Sequence, residues 1–217
     1  MEVLHEKSYA EYHLRRREVV EELRLAKYDM LSMSAHKISG PQGIGALVLR
    51  RKSYKLPPVQ PIMFGGQQEH GLRPGTIPVA LVAGLGKACE ISMAEYQEAN
   101  THSREIKEHI IGIIKSSGIS YKIIGDQNSC IPSTLNVCFP GISAEALMLA
   151  TKQYCGISNG SACNSNSYSP SYVLTAMGLT PEEVSSCVRL SWGIHTDIKV
   201  LIESFSKLLC VAKKLAF

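Results

Sequence analysis

The chain lacks a long apolar run. No stretch of its 217 residues approaches the roughly 18 apolar residues that a membrane-spanning helix needs, so we expect no membrane partner. The amino terminus also lacks the apolar core of a signal peptide, and its glutamates argue against a transit peptide. These absences favour a protein that works in an aqueous compartment.

The chain also lacks any Cys-x-x-Cys pair. Its cysteines are odd in number and irregular in spacing: Cys89, Cys130, Cys138, Cys155, Cys163, Cys187 and Cys210. This pattern argues against a disulfide framework or a zinc site and favours the reducing cytoplasm. Most of these residues lie in apolar runs, where a cysteine behaves as a small hydrophobe, and Cys163 is the exception.

The chain also has only a small excess of positive charge. The net charge of +4 is mild, whereas a nucleic-acid-binding surface usually needs a more basic, clustered face, so we expect no direct binding of nucleic acid. Apolar residues make up 45% of the chain, which is typical of a globular protein. The length allows one domain or two small ones.

The pattern of apolar residues predicts how the chain is organised. Residues 1–27 carry mixed charge and predict a helix, whose charges form a solvated face or, alternatively, a binding patch. From Val79 the apolar spacing becomes helical up to a cap at Gly118, so one long helix should bridge two domains. Later helix starts are predicted at Ser143, Ser169-Pro170, Thr180-Pro181 and Asp197. Short strands are predicted at residues 28–32, 46–50, 121–124, 134–139 and 188–192.

The first motif that could carry chemistry is Ser34-Ala35-His36-Lys37, which follows a predicted strand and precedes several glycines. The Lys37 amine can form a Schiff base with an aldehyde. Ser34 and His36 can donate hydrogen bonds to phosphate oxygens, and the glycines let the backbone approach closely. The motif therefore suits a phosphorylated aldehyde cofactor, although the local sequence also fits a surface lysine before a glycine turn.

A polar, glycine-rich loop occupies residues 65–76 and ends in the hydroxyl of Thr76. Such a loop can bind an anion through that hydroxyl and its backbone amides. Taken alone, it is better explained as a plain surface loop.

Two further residues contrast with their surroundings. Cys163 lies among small polar residues that cannot build a core, so its nucleophilic thiol should be exposed on a loop, either as a reactive group or as an incidental cysteine. Arg189 is a charge inside an apolar strand and needs a carboxylate partner there. That partner could be a substrate carboxylate or an internal Asp or Glu.

In this order and at this spacing, these stretches resemble the carboxy-terminal half of a cysteine desulfurase. Such enzymes are fold-type-I pyridoxal-phosphate enzymes of the aminotransferase class-V family, and the resemblance covers about residues 26–208. It implies an α/β fold in which residues 26–95 are part of the cofactor-binding large domain. Residues 96–217 would be the small α+β carboxy-terminal domain that carries the cysteine loop, and residues 1–25 show no resemblance.

The resemblance implies how the cofactor, pyridoxal 5'-phosphate, is held. Lys37 would form the Schiff base, while Ser34, Ala35 and His36 would lie at the phosphate. Thr76 would reach the phosphate of the other subunit in a homodimer.

The resemblance also implies a substrate and a reaction. Arg189 would hold the carboxylate of L-cysteine, and the Cys163 persulfide would pass sulfur to an acceptor or scaffold protein in iron–sulfur cluster assembly, or in thiolation of tRNA or DNA. No resident metal is implied, although Cys163 is a candidate transient ligand of an iron–sulfur cluster.

The family's amino-terminal half is not found in residues 1–25. That half supplies a histidine stacked on the cofactor ring, an aspartate at the pyridine nitrogen, and most of the parallel sheet. Two interpretations therefore stay open. The chain is a desulfurase, alone or completed by a separate polypeptide, or it is a non-catalytic remnant that binds sulfur-acceptor or accessory proteins.

Overall fold

The structure is a computed structural model that describes residues 28–159 and 170–216. The predicted helix in residues 1–27 and the position of Cys163 lie outside the described residues. The chain divides into two compact units, unit 1 ending at Gln97 and unit 2 beginning at Glu98, two residues beyond the boundary expected from the sequence. Within the described ranges, no helix combines the length and the apolar character that crossing a membrane requires.

From residue 28 onward, unit 1 contains an antiparallel strand pair. β1 (Met30–Ser34) pairs with β2 (Gly45–Leu49), so that Ser34 lies opposite Gly45. A short 3-10 helix, Ala35–Ile38, begins where β1 ends. A second 3-10 helix, Gln68–Gly71, lies in the glycine-rich loop.

Helix α1 (Val79–Ser117) begins in unit 1 and ends in unit 2. Its predicted start at Val79 and its cap are confirmed, since Gly118 follows with a φ of 73°. A glycine adopts this left-handed conformation without a steric penalty, which is why it commonly ends a helix.

Unit 2 contains an antiparallel sheet in the order β3-β4-β5, formed by Lys122–Ile124, Thr134–Cys138 and Cys187–Ser191. Its helices are α2 (Ala144–Thr151), α3 (Tyr172–Ala176), α4 (Pro181–Ser185) and α5 (Ile198–Leu215). Successive side chains of a strand point to opposite faces, so the sheet has two differently covered sides.

One side of the sheet carries the main core. Leu135, Val137, Val188 and Leu190 pack there with buried residues of α1, α2 and α5, among them Ile110. The other side carries a smaller cluster, in which Cys138 and Cys187 pack with residues of α3 and α4. Residues at even positions of β4 and odd positions of β5 therefore share this second side.

The predicted helix starts are confirmed at three sites. The side chains of Ser143, Thr180 and Asp197 each accept a hydrogen bond from the backbone three residues on, and Thr180 forms a full capping box with Glu183. The start predicted at Ser169-Pro170 is wrong. The cap is Ser171, whose hydroxyl accepts from the Leu174 amide at 3.4 Å, so α3 begins after the proline.

Candidate active site

The turn at Ala35–Ile38 presents Lys37 outward. Ala35 and Ile38 are 0% and 3% exposed, whereas His36 and Lys37 are exposed. In a 3-10 helix residues three apart lie on the same side, so the two buried residues anchor the turn while the two polar ones leave it. The backbone closes around the turn, because the Ala35 amide donates to Ile44 O at 3.0 Å and the Gly40 amide donates to Ala35 O at 2.9 Å.

The loop after this turn lies close against α1, which explains two of its glycines. A Cβ at Gly40 would meet the Ala88 Cβ at 2.9 Å and Ala35 O at 3.0 Å. A Cβ at Gly84, on α1, would meet the Pro41 ring at 2.5 Å. Larger residues at either position would push the loop away from the helix and shift the turn that holds Lys37.

The loop that ends at Thr76 is ordered by contacts within itself. Gln68 Oε1 accepts a hydrogen bond from the Gly75 amide at 3.2 Å, which ties the two ends of the loop together. Glu69 and His70 have φ values of 51° and 57°, a left-handed conformation that non-glycine residues rarely adopt. Thr76 itself is exposed, so its hydroxyl faces outward from unit 1.

In unit 2, Arg189 lies half-buried in β5, on the side of the sheet with the smaller cluster. Its Cα partner on β4 is Asn136. The neighbouring pairs carry the hydrogen bonds, for instance from the Phe139 amide to Ser186 O, and the same alternation makes Asn136 and Arg189 a non-hydrogen-bonded pair with close side chains. The buried Asn136 Oδ1 has no hydrogen-bond partner among the described residues.

Asn136 is not among the candidates expected from the sequence, although it carries a signal. An asparagine in the middle of the apolar strand Thr134–Cys138 contrasts with its neighbours in the same way as Arg189 does. The two polar residues lie directly across from each other. Together they form a polar pair in the middle of the sheet, next to the apolar pair of Val137 and Val188.

Cys163 lies outside the described residues, but both ends of its segment are defined. Ser158 is bridged to Arg189 by two backbone hydrogen bonds, of 3.1 Å to Arg189 O and 2.6 Å from the Arg189 amide. At the other end Ser171 caps α3, whose Leu174 packs on the same side of the sheet as Cys138 and Cys187. Cys163 follows Ser158 by five positions, and a fully extended chain of that length spans at most about 18 Å.

The other thiols of unit 2 differ in their environment. Cys138 and Cys187 are 0% and 1% exposed. Burial raises the pKa of both thiols, and that of Cys187 to about 12, so both stay protonated at neutral pH. Burial also raises the pKa of Cys155. Cys210, on α5, is exposed. It therefore does not act as a buried hydrophobe, the role expected of most cysteines other than Cys163.

A cavity of about 480 Å³ in unit 2 lies apart from Arg189. Leu190, Trp192 and Phe205 line it, and all three belong to or pack against the main core. Since Leu190 and Arg189 are adjacent on one strand, they point to opposite sides of the sheet.

The structure groups the candidate residues by unit. Ser34, His36 and Lys37 are neighbours at the end of β1, and Thr76 lies in the same unit, whereas Arg189 and both ends of the Cys163 segment lie in unit 2. A hydroxyl, an imidazole and an exposed amine in one turn can bind a phosphate and an aldehyde. This donor set therefore fits pyridoxal phosphate.

Comparison with known proteins gives consistent matches. The family profile of aminotransferase class-V matches residues 21–201 and thus begins within the segment for which sequence analysis found no resemblance. "Cysteine desulfurase IscS" of Neisseria meningitidis is 40% identical over 175 residues, which are 81% of this chain and 42% of that protein.

Two solved structures agree with the fold. A NifS-like protein has a TM-score of 0.73 at 28% identity, with 87% of this chain and 47% of that one covered. A structure of SspA in complex with cysteine has a TM-score of 0.56 at 35% identity, with 78% of this chain and 45% of that one covered. The chain thus spans less than half the length of these relatives. Because the family profile extends over most of its residues, the chain belongs to the aminotransferase class-V family.

Proposed function

We propose that this chain is the part of a pyridoxal-phosphate-dependent cysteine desulfurase that provides the Schiff-base lysine, Lys37, and the persulfide cysteine, Cys163. The reaction takes sulfur from L-cysteine, releases L-alanine and leaves a persulfide on Cys163. The observation that carries the proposal is the turn at Ala35–Ile38, which anchors two apolar residues and presents His36 and Lys37 outward. The similarity to a cysteine desulfurase over 81% of the chain supports the same reaction.

The cofactor would be held by the residues of this turn. The Lys37 amine binds the aldehyde, while the Ser34 hydroxyl and the His36 ring donate to the phosphate. Thr76 provides a further hydroxyl for a phosphate, that of the second subunit in a homodimer. When bound, pyridoxal phosphate supplies an electron sink for the carbanion at the substrate α-carbon.

Lys37 has a second task once the substrate is bound. Its free amine takes the proton from the substrate α-carbon and returns a proton during release of the product. An amine on a long, exposed side chain can swing between the two positions, because only the turn beneath it is held by buried residues.

Arg189 would bind the substrate carboxylate. Its guanidinium matches a carboxylate bidentately, and no described carboxylate forms an ion pair with it. The Oδ1 of Asn136, directly across the sheet, has no partner among the described residues, so it would accept from a guanidinium N–H group that turns toward it. We infer that Asn136 orients Arg189.

Cys163 would take the sulfur. Its thiolate attacks the sulfur of L-cysteine, a sulfur–sulfur bond forms, and the bond from that sulfur to the substrate β-carbon breaks. The carbon retains the electron pair, takes a proton and leaves as L-alanine. The segment that carries Cys163 follows Ser158, which is hydrogen-bonded to Arg189. This attachment supports the role, because it tethers the thiol to the strand that would bind the substrate.

The persulfide then passes to an acceptor or scaffold protein, in iron–sulfur cluster assembly or in thiolation of tRNA or DNA. Cys163 would serve as a transient cluster ligand in the first case. We infer a cytoplasmic location, in keeping with cysteines that have no framework spacing, and a homodimer in which Thr76 reaches the phosphate of the second subunit.

Labelling with pyridoxal phosphate tests the cofactor site. The full chain is mixed with limiting pyridoxal phosphate, reduced with borohydride and digested, and the labelled lysines are identified by mass spectrometry. We expect the label to concentrate on Lys37. Lys52, an exposed lysine of the same unit that forms an ion pair with Asp29, is the matched control.

Three outcomes decide between the proposals. Labelling spread evenly over Lys37 and Lys52, or preserved with pyridoxal lacking its phosphate, contradicts the cofactor site. Release of alanine from L-cysteine, lost in Cys163→Ser and kept in Cys210→Ser, supports the complete reaction. Selective labelling without alanine release supports the second candidate, a chain that binds the cofactor or acceptor proteins but needs another polypeptide for catalysis.

A further inference from the structure

Lys107 is a buried cation with an unusual partner. It lies on α1 in unit 2 and is 8% exposed. A buried ammonium group needs a hydrogen-bond acceptor, and a carboxylate is the usual one. Among residues 28–159 and 170–216, no carboxylate forms an ion pair with Lys107.

The acceptor of Lys107 is a thiol. Its Nζ donates to Cys130 Sγ at 2.9 Å, and the two residues are 23 positions apart in the chain. The Cys130 thiol in turn donates to Gln127 O at 3.4 Å, so its hydrogen points away from the lysine and a sulfur lone pair faces Nζ. Nitrogen and sulfur are thus held in contact by groups on two separate elements.

Cys130 is also reachable from solvent. It lies half-buried in the segment between β3 and β4. Cys138 and Cys187, which also lie opposite each other, are fully buried, and their raised pKa values keep them protonated and unreactive. Cys130 therefore combines two properties that this pair lacks: access for an oxidant and a neighbouring nitrogen nucleophile.

We propose that Cys130 and Lys107 form a peroxide-sensitive pair, in which oxidation of the thiol links the two side chains through a sulfur–nitrogen bond. In the first step hydrogen peroxide transfers one oxygen to the sulfur. The thiol becomes a sulfenic acid, the sulfur loses two electrons, and the peroxide is reduced to water.

In the second step the Lys107 ammonium gives a proton to solvent, and its nitrogen attacks the sulfur of the sulfenic acid. A sulfur–nitrogen bond forms, the sulfur–oxygen bond breaks, and the oxygen leaves as water with a proton from the amine. The product is a sulfenamide. Two molecules of an added thiol reverse it, because they are oxidised to a disulfide while Cys130 and Lys107 recover their hydrogens.

The link would join the segment between β3 and β4 covalently to α1. Both partners are already in contact in the reduced protein, at 2.9 Å, so the two side chains need only approach each other further for the bond to form. A covalent link between distant positions restricts the unfolded chain more than the folded one, so it stabilises unit 2. The inference is independent of the proposed sulfur-transfer reaction, because neither residue belongs to that site.

Mass spectrometry of the full chain tests the link directly. The protein is exposed to hydrogen peroxide, its remaining thiols are alkylated, and it is digested without a reductant. We expect a joined peptide pair containing Lys107 and Cys130, two hydrogens lighter than the separate peptides, which added dithiothreitol separates. Thermal unfolding of the oxidised protein should shift to a higher temperature, and the shift should vanish on reduction.

The controls are variants of the two linked residues and of one other cysteine. Cys130→Ser and Lys107→Gln should each abolish the joined pair, and in Lys107→Gln the Cys130 sulfenic acid should be trapped by dimedone. Cys210→Ser should leave the joined pair unchanged, because exposed Cys210 has lysines nearby on α5 but no such contact. Oxidation of Cys130 without a joined pair in the native protein would overturn the inference, as would a link that retains an oxygen atom.

Discussion

Units 1 and 2 differ in how much of their apolar surface they bury. Unit 2 encloses a core in which Ile106, Leu135, Phe139, Leu147 and Leu208 are all at most 1% exposed. Described unit 1 buries mainly small residues around the Lys37 turn, whereas large side chains such as Ile62 and Phe64 are 92% and 86% exposed. Unit 2 therefore has the core from which a domain draws its stability, whereas the Lys37 turn is held by few buried side chains.

The largest expected effect is the loss of stability when a leucine is shortened in the core of unit 2, compared with the same change in unit 1. Leu208→Ala, at a position with 0% exposure, should lower the free energy of unfolding by about 2–5 kcal/mol, because it removes buried methyl groups and leaves a cavity. Leu47→Ala, the matched change in unit 1 at 52% exposure, should cost less than about 1 kcal/mol. Urea unfolding followed by circular dichroism measures both, and equal costs would contradict the comparison.

Helix α1 allows the same comparison within one element. Ile106, Ile110 and Ile114 lie in the core of unit 2, whereas Val79 and Val82 are 73% and 41% exposed. We expect backbone amides in the second half of the helix to exchange about 100-fold more slowly than those in the first half, since exchange there requires opening of the core. Hydrogen exchange followed by mass spectrometry tests this, and uniform protection along α1 would overturn it.

A smaller effect is expected at the capping box of α4. Thr180→Ala removes the acceptor for the Glu183 amide and should cost about 1 kcal/mol of stability. Ser185→Ala, in the same helix, removes only a hydrogen bond to the Glu182 carbonyl and should cost less than about 0.5 kcal/mol. If the two variants unfold alike, the cap does not contribute to the cooperative unfolding of unit 2.

The smallest effect concerns the exposed ion pair of Lys122 and Glu183, 2.7 Å apart. The hydrogen bond from Lys122 lowers the pKa of Glu183 below its ordinary 4.5, and the same contact raises the pKa of Lys122 above 10.5. The stabilisation from the pair is thus fully present between these two values. It is lost as the pH falls through the lowered pKa of Glu183, or rises through the raised pKa of Lys122.

Stability measured against pH tests this pair. The difference in unfolding free energy between the native protein and Lys122→Met should be constant near neutral pH and shrink below pH 4.5. Lys115→Met, at another exposed lysine of unit 2, is the control and should show no such change. A difference that grows as the pH falls would contradict the assigned ion pair.

Much of the local structure could be predicted from the residues. The strands, the long helix from Val79 and the caps at Ser143, Thr180 and Asp197 depend on apolar period and on side chains that bond to nearby amides. The start of α3 was misplaced because two serines flank Pro170, and only the folded chain shows that Ser171 reaches the Leu174 amide.

The candidate site was predictable in part. Ser34, His36, Lys37 and Arg189 contrast with their neighbours in residue type, so a single sequence can single them out. Asn136 carries a similar contrast, but its importance depends on the register that places it opposite Arg189. Pairing between strands that are far apart in the chain does not follow from the local pattern of either strand.

By itself, the order of the residues determined the type of the strands and the α-helices, because propensity, capping and apolar period act over a few neighbouring positions. The two 3-10 helices, Ala35–Ile38 and Gln68–Gly71, did not follow from it. It also determined which chemical groups are present, among them the amine of Lys37. Only the tertiary structure decided that Ala35 and Ile38 anchor this lysine and that Lys107 meets Cys130. Burial and contact between distant positions depend on how the whole chain packs, which no local stretch specifies.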